Sequence, residues 1–178
     1  MNYRAQLLKE HSRRNTDAIA KAIGNSDAEF EKLIHILYNG VPPIPQRASW
    51  VLAAVNANHP ELLIPYIGLF VKTVKDFQID GIKRNIMVVL ASQAIPEKLQ
   101  ARLVDICYDF MLAPEETVVV KVHAMQVIAN IARLHPALKG ELKSVIEDQL
   151  PKNTAAFSAR ARRILKELDK PMFMDKAL

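Results

Sequence analysis

Cysteine, glycine and aromatic residues are scarce in this sequence of 178 residues. It contains one cysteine, five glycines and 6% aromatic residues. A single cysteine excludes an internal disulfide and is typical of proteins from a reducing compartment. Each glycine stands alone, which excludes the glycine-rich loops that hold phosphates or dinucleotides. Because alanine, leucine, isoleucine and valine must then form the core, closely packed helices are favoured over a β sandwich.

Long hydrophobic runs are also missing. The longest mostly apolar run, residues 62–71, has about half the length of a bilayer span and contains Pro65. The opening segment MNYRAQLLKEHSRR is charged throughout and has no apolar stretch of the kind found in secretory signals. We therefore expect a cytoplasmic protein that does not interact with membranes.

Motifs for catalysis or metal binding are lacking as well. The five histidines are His11, His35, His59, His123 and His135. None has a second ligand at the spacing of a helical zinc site, so no metal is expected. Cys107 stands among Leu103, Ile106 and Phe110, which predicts a buried, inert thiol rather than a nucleophile. We expect no catalytic residue and no cofactor, and we predict that the protein is not an enzyme.

Apolar residues make up half of the chain, and they follow helical spacing throughout. Examples are Phe30, Leu33, Ile34 and Leu37 in a helix predicted to end near Asn39. A capping box, Ser26 with Glu29, is predicted to begin that helix, with each side chain satisfying a backbone amide of the other. The N-terminal piece contributes further expected core residues: Leu7, Leu8, Ile19 and Ile23. No alternation of period two is present, so no sheet is expected.

The pair His59-Pro60 recurs as His135-Pro136, at about twice a period of 38 residues. Each pair is interpreted as a turn, because proline favours the first turn of a helix. Pro60, Pro96 and Pro136 are therefore predicted to start corresponding helices, the first of which runs to about Val74. The longest helix is predicted near 116–134. This divides the chain into an N-terminal helical cap (1–25), four helix-turn-helix repeats (26–59, 60–95, 96–135 and 136–168) and a C-terminal tail (169–178).

The second helix of each repeat is rich in small residues and opens with a cation, such as Arg47-Ala48 or Arg160-Ala161. Together with the helix-starting prolines, this pattern resembles the HEAT/armadillo class of α-solenoids over about residues 26–168. The segments ASWVL, PELLIPY and ARARRILKEL are similar to those of a family of small, uncharacterised bacterial helical-repeat proteins. The resemblance implies an all-α fold: a right-handed superhelix of antiparallel helix pairs with about four repeats.

Charge is distributed unevenly between the two helices of each repeat. The predicted second helices, 46–58, 82–94, 117–133 and 155–166, contain no aspartate or glutamate. In the HEAT/armadillo class the second helices line the concave face, so the resemblance implies a basic concave surface here. The residues that we expect to contact a partner on this surface are Arg47, Trp50, Lys83, Arg84, His123, Gln126, Asn130, Arg133, Arg160 and Arg163.

Two interpretations of these cations remain open. Either they pair with acids in the turns and form a ladder between repeats, or they form a groove for an acidic peptide or a phosphate backbone. The turn acids that can pair with them are Asp76, Asp80, Glu115 and Glu116. Trp50 is likewise either a core filler or an interface anchor. In the tail, Met172, Phe173 and Met174 are predicted to cover the last helix.

The function predicted from these features is non-catalytic protein interaction. The net charge of +5 suits an acidic or mixed protein partner bound along the basic concave surface. It also suits the alternative, in which the same surface binds the backbone of a nucleic acid. The sequence leaves the choice between these partners open, together with the oligomeric state.

Overall fold

The structure, a computed structural model, describes residues 1–169, and within this range every regular element is a helix. The predicted all-α class is therefore confirmed. Its contacts divide the chain into two compact units: unit 1, Met1–Ala94, and unit 2, which starts at Ile95. The predicted cover formed by Met172, Phe173 and Met174 lies outside the described residues. The division into a cap, four repeats and a tail stays a prediction.

Unit 1 contains six α-helices and one 3₁₀ segment. The helices are α1 (Tyr3–Lys9), α2 (Arg13–Ile23), α3 (Asp27–Asn39), α4 (Ile44–Asn58), α5 (Ile67–Thr73) and α6 (Asp80–Ser92), and the 3₁₀ segment is Pro60–Tyr66. Helix α4 is central, since it packs against α1, α2, α3 and α6. Its inward face consists of Ala48, Val51, Leu52 and Val55, all of which are fully buried.

Local sequence accounts for several helix ends in unit 1. The Ser26 hydroxyl accepts a hydrogen bond from the Glu29 amide at 3.4 Å, as the predicted capping box requires. The other half of that box is wrong, because the Glu29 carboxylate instead accepts hydrogen bonds from the Tyr3 hydroxyl and the Lys32 ammonium. Helix α2 ends at Gly24, whose φ of 53° is a conformation that side-chain-bearing residues rarely adopt.

Prolines alter two of the predicted helices. The helix predicted from Pro60 to Val74 begins as 3₁₀ and becomes α-helical only at Ile67. Pro65 lies inside the 3₁₀ segment, where its ring and its missing N–H oppose regular α-helical bonding. Pro45 is tolerated inside the first turn of α4, which therefore starts before the expected residue 46.

The described part of unit 2 contains four α-helices. They are α7 (Glu97–Leu112), α8 (Val118–Ala132), α9 (Leu138–Gln149) and α10 (Ala155–Leu168), with a short 3₁₀ segment at Leu150–Lys152. Helix α8 packs against α7, α9 and α10. It was expected to be the longest helix, but α7 has 16 residues and α8 has 15, since Thr117 and Arg133 flank α8 as its caps.

Most predicted core residues are buried. Phe30, Leu33 and Leu103 are completely inaccessible to solvent. Leu8 is an exception at 54% exposure, because α1 ends at Lys9 and turns only its Leu7 side inward. Cys107 is fully buried, as expected for an inert thiol.

Candidate partner-binding surfaces

The ten residues predicted to contact a partner lie on four helices or directly at their ends. These helices are α4 and α6 in unit 1 and α8 and α10 in unit 2. We call these four the second helices. Four of the ten predicted residues belong to unit 1 and six belong to unit 2. Whether these residues bind a partner stays a prediction.

In unit 1, Trp50 stands at the centre of a small aromatic and cationic cluster. Its side chain is 37% exposed. The guanidinium carbon of Arg84 lies 5.2 Å from the centroid of the Trp50 ring, within the range of a cation–π contact. The ring of His11 meets the indole edge-on, with centroids 5.1 Å apart. The indole is therefore held between side chains from α6 and from the turn before α2, while part of it still faces solvent.

Arg84 is held by its ring contact rather than by an acid. Within residues 1–169 its guanidinium makes no hydrogen bond and no ion pair. A planar guanidinium that stacks on an aromatic ring keeps its N–H groups at its edge, where they can bind a carboxylate or a phosphate through two parallel hydrogen bonds. Arg84 therefore presents unused donors beside an exposed tryptophan.

Arg47 has a structural task. Its Nη1 donates to the backbone oxygens of Leu7 at 2.7 Å and Leu8 at 3.2 Å. These carbonyls belong to the last turn of α1, where no further helical amide is present to satisfy them. Arg47 thus caps α1 and ties it to α4, and its positive charge also suits the negative end of that helix.

Lys83 lies in the first turn of α6. The nearby acid is Asp80, which the sequence pattern assigned to the loop before this helix. Helix α6 starts at Asp80, so this second helix does contain an acid. The Lys83 ammonium lies 3.9 Å from the Asp80 carboxylate. The expectation that the second helix is free of acids is therefore wrong for α6, since the helix begins two residues earlier than predicted.

In unit 2, polar side chains of α8 and α10 join across the two helices. The Gln126 amide donates to the Asn130 side-chain oxygen at 3.0 Å, and Arg160 donates to the Gln126 side-chain oxygen at 3.5 Å. His123 lies one turn before Gln126 on the same partly exposed stripe. The predicted stripe on α8 therefore exists as a row, and Arg160 of α10 lies against it.

At the C-terminal end of α8, the same row meets an acid. Arg133 forms an ion pair with Glu167 at 3.1 Å. Helix α10 runs to Leu168 and so includes Glu167, which lies beyond the predicted end at residue 166. The expectation of an acid-free second helix is therefore wrong for α10 too, and the charge of Arg133 is partly neutralised.

Besides Lys166, α10 has two exposed arginines, Arg162 and Arg163. Neither makes an ion pair or a hydrogen bond in the part of the chain that the structure describes. An exposed arginine that makes no ion pair keeps its charge available to an incoming anion. Of these two, only Arg163 was among the residues predicted to contact a partner.

Side chains of neighbouring repeats do contact each other as in the predicted ladder, but chiefly through hydrogen bonds between neutral groups. In unit 1 the Asn85 amide donates to Ser49 Oγ at 2.9 Å, and the Asn56 amide donates to Ser92 Oγ at 2.8 Å. The partners in both pairs are 36 residues apart, which is one repeat. Arg47, Arg84 and Arg160 make no ion pair with any acid of residues 1–169.

Sequence reasoning missed two residues of these surfaces. His11 contacts Trp50 although 39 positions (50 − 11) separate them, and no local spacing signals such a contact. Glu167 was left out because the predicted second helix stops at residue 166, two residues before the end of α10. The signal for this contact is the spacing, because Glu167 follows Arg133 by 34 residues, which matches the repeat length.

Within residues 1–169, no three His, Cys, Asp or Glu side chains are grouped as a metal site requires. No described helix is long and apolar enough to cross a membrane. Burial raises the pKa of the Cys107 thiol far above its usual range, so the thiol stays protonated and unreactive at neutral pH.

Comparison with known proteins identifies a family for this chain. The family model described as HEAT repeat domain matches residues 3–168. No curated protein and no solved structure matches the chain. The match covers nearly the whole sequence and agrees with the paired helices of both units.

Proposed function

Because the chain belongs to the HEAT repeat domain family, we propose that it is a non-catalytic module that binds an acidic or mixed protein partner through the exposed faces of its second helices. HEAT repeats generally mediate protein–protein interaction, and the family is typically a non-catalytic scaffold. The fold alone does not identify a partner. The proposal therefore depends on the surfaces of this particular chain.

The observation that carries the proposal is the cluster of Trp50, Arg84 and His11 in unit 1. Tryptophan and arginine are the residues that most often dominate binding energy at interfaces. The ring contacts of Trp50 restrict its rotamers before any partner arrives, which lowers the entropy lost on binding. A partner that offers a carboxylate to Arg84 and an apolar group to Trp50 would use both side chains at once.

The first experiment compares affinity capture by the wild-type chain, Trp50→Ala, Arg84→Gln and a control, Lys72→Gln. Lys72 is an exposed cation on α5 of the same unit, away from the second helices. A protein captured by the wild type is then purified, and its affinity for each variant is measured. We expect Trp50→Ala to weaken binding by about 30-fold or more, equivalent to about 2 kcal/mol, and Lys72→Gln to leave it unchanged.

Equal affinity of the partner for all four proteins, or no captured protein at all, would argue against the proposal. A second readout uses the fact that Trp50 is the one tryptophan of the chain. Binding at this cluster must change the emission maximum or the quenching of that residue. A partner that binds without altering tryptophan fluorescence would exclude Trp50 as its anchor.

The second candidate is binding to the backbone of a nucleic acid. Arg162 and Arg163 favour it, because they are exposed on α10 and make no ion pair within the described residues. Backbone binding releases counterions, so its affinity falls linearly with the logarithm of salt concentration. Each phosphate contact contributes about 0.9 to that slope on double-stranded DNA.

Fluorescence anisotropy with labelled DNA and RNA, between about 50 and 200 mM salt, tests this candidate. The double variant Arg162→Gln/Arg163→Gln should reduce the slope by about 2. The control Lys98→Gln changes an exposed cation on α7 and should leave the slope as it is. Absence of binding at about 50 mM salt would reject nucleic acid as the partner.

A further inference from the structure

Unit 2 contains a cavity of about 440 Å³ where α8 and α10 begin. Residues from the end of α7 form its apolar side. Val118 of α8 also lines it, and its polar side is formed by Lys121, Thr154, Lys152 and Glu116. The volume lies within the range of small-molecule sites, which is about 300–1,000 Å³. This cavity is separate from the exposed second-helix surfaces described above.

Lys121 is the unusual residue of the cavity. It is only 4% exposed, yet it makes no hydrogen bond and no ion pair within residues 1–169. If the Lys121 ammonium were also sealed from solvent, it would be a buried polar atom without a partner. Within those residues, the one such atom is the Tyr108 hydroxyl oxygen. The Lys121 ammonium therefore keeps an opening to solvent, and the cavity that it lines supplies that opening. A nearly buried lysine without a partner is rare, because charges are buried in pairs.

The start of α8 adds positive potential at the same place. Thr117 occupies the cap position but makes no capping hydrogen bond from its side chain. Its hydroxyl instead donates to the Glu116 carboxylate at 3.4 Å, and its backbone amide donates to the same oxygen at 2.9 Å. The first amides of this 15-residue helix are therefore left without a side-chain acceptor. The helix dipole concentrates partial positive charge there and disfavours a lysine one turn inside, unless an anion is present.

The other charged groups of the cavity already have partners. Lys152 donates to the Asp148 carboxylate at 2.7 Å. The Glu116 carboxylate, the one acid that lines the cavity, accepts from the residue that follows it. Thr154 caps α10 by accepting from the Phe157 amide at 3.5 Å. The charge of Lys121 and the open amides of α8 are thus the groups that remain to be satisfied.

We propose that this cavity binds the phosphate group of a small phosphate ester, with Lys121 and the first amides of α8 as its donors. The start of a helix binds phosphate because unpaired amides and the dipole act together. A phosphate offers acceptors in several directions, which suits an ammonium on one side and backbone amides on another. The apolar side of the cavity would contact the organic part of the ester.

The test is a ¹H–¹⁵N NMR titration with inorganic phosphate at constant ionic strength, balanced with sodium chloride. We expect saturable shifts of the amides of Val118, Val119 and Val120. Lys121→Gln should weaken phosphate binding at least about tenfold, by loss of a charged donor. The matched control Lys98→Gln removes an equal charge from α7 outside the cavity and should bind phosphate as the wild type does.

Thermal unfolding gives a second readout. Phosphate at about a hundred times its wild-type Kd should raise the Tm of the wild type by roughly 5–10 °C and that of Lys121→Met by at most about half as much. In phosphate-free buffer, Lys121→Met should unfold at the same temperature as the wild type or higher, because it removes an unpaired charge from a nearly buried position. This readout does not depend on the assignment of any amide.

The proposal is overturned if the wild-type chain shows no saturable shift with phosphate beyond that of chloride. It is equally overturned if Lys121→Gln binds phosphate as tightly as the wild type. The wild-type titration decides the matter even where a Lys121 variant fails to fold. A phosphoserine peptide serves as a further arm: tighter binding than inorganic phosphate would support the site but assign its phosphate to a modified protein. None of these outcomes depends on the Trp50 cluster, so the two proposals can fail separately.

Discussion

At the scale of single residues, the tertiary environment decides what a side chain does. Trp50 and Cys107 are each the only residue of their type in the chain. Trp50 is partly exposed and held between Arg84 and His11, which makes it available to a partner. Cys107 is completely buried among apolar side chains of α7, which makes it chemically inert.

The inertness of Cys107 can be measured directly. Its thiol pKa is raised by burial, so the reactive thiolate is scarce at neutral pH and no reagent can reach it. We expect a thiol-specific reagent to modify the native protein only at the rate of unfolding, and to react at once in denaturant. Fast and complete modification without denaturant would show that the core around α7 is open.

At the scale of elements, the hydrogen bond between Asn85 and Ser49 joins α6 to α4. Both residues are buried, at 5% and 0% exposure, and Ser49 also donates to the Gln46 carbonyl at 2.7 Å. Ser49→Ala leaves the Asn85 amide without this acceptor, and we expect a loss of about 1–3 kcal/mol in the free energy of unfolding. Urea denaturation followed by circular dichroism measures this loss.

The control for this prediction is Asn58→Ala, an exposed position at the end of the same helix. It should change the free energy of unfolding by less than about 0.5 kcal/mol. The double variant Ser49→Ala/Asn85→Ala should lose less than the sum of the two single losses, because the second change removes the unsatisfied amide. Additive losses would mean that the two helices do not depend on this bond.

The same scale includes the attachment of α1. Arg47 donates to two carbonyls at the end of that helix, and α1 has only seven residues, too few to be stable alone. We expect Arg47→Gln to increase hydrogen exchange in residues 3–9 while α3 stays protected. Unchanged exchange in α1 would show that its apolar contacts, chiefly Leu7, hold it without the arginine.

At the scale of the whole molecule, the raised pKa values of two phenols make stability sensitive to alkaline pH. Burial, assisted by a hydrogen bond to Glu29 and by its charge, raises the pKa of Tyr3 in unit 1 to about 12. Burial, with Glu141 nearby, raises the pKa of Tyr108 in unit 2 to about 12. Because both exceed the pKa of about 10 in the unfolded chain, their stabilising effect is complete below pH 10 and is lost between pH 10 and 12.

The corresponding experiment measures the urea midpoint from pH 8 to 11.5. We expect the midpoint to fall above pH 10, and to fall less steeply in Tyr108→Phe. At pH 8 that variant should be as stable as the wild type or more stable, because the Tyr108 hydroxyl has no hydrogen-bond partner within the described residues. An identical pH dependence in both proteins would contradict the assignment.

The sequence by itself determined the helical class and most of the turns, because these depend on residues within a few positions of each other. Apolar spacing, Ser26 and the prolines were enough to place nearly every helix. They were not enough for the start of α6 at Asp80 and the end of α10 at Leu168, each of which lies two residues beyond the predicted end. The 3₁₀ start at Pro60 was missed although its cause is local, since Pro65 opposes α-helical bonding in this segment.

Only the tertiary structure decided what the cations of the second helices do. Arg47 caps α1 across a separation of 40 residues, and Arg84 makes a cation–π contact with Trp50. Lys121 lines a cavity and makes no ion pair within residues 1–169. In the sequence these three are alike, each a cation near the start of a second helix. Their differences arise from packing one repeat against the next, which places distant residues beside each position, and no spacing along the chain contains that information.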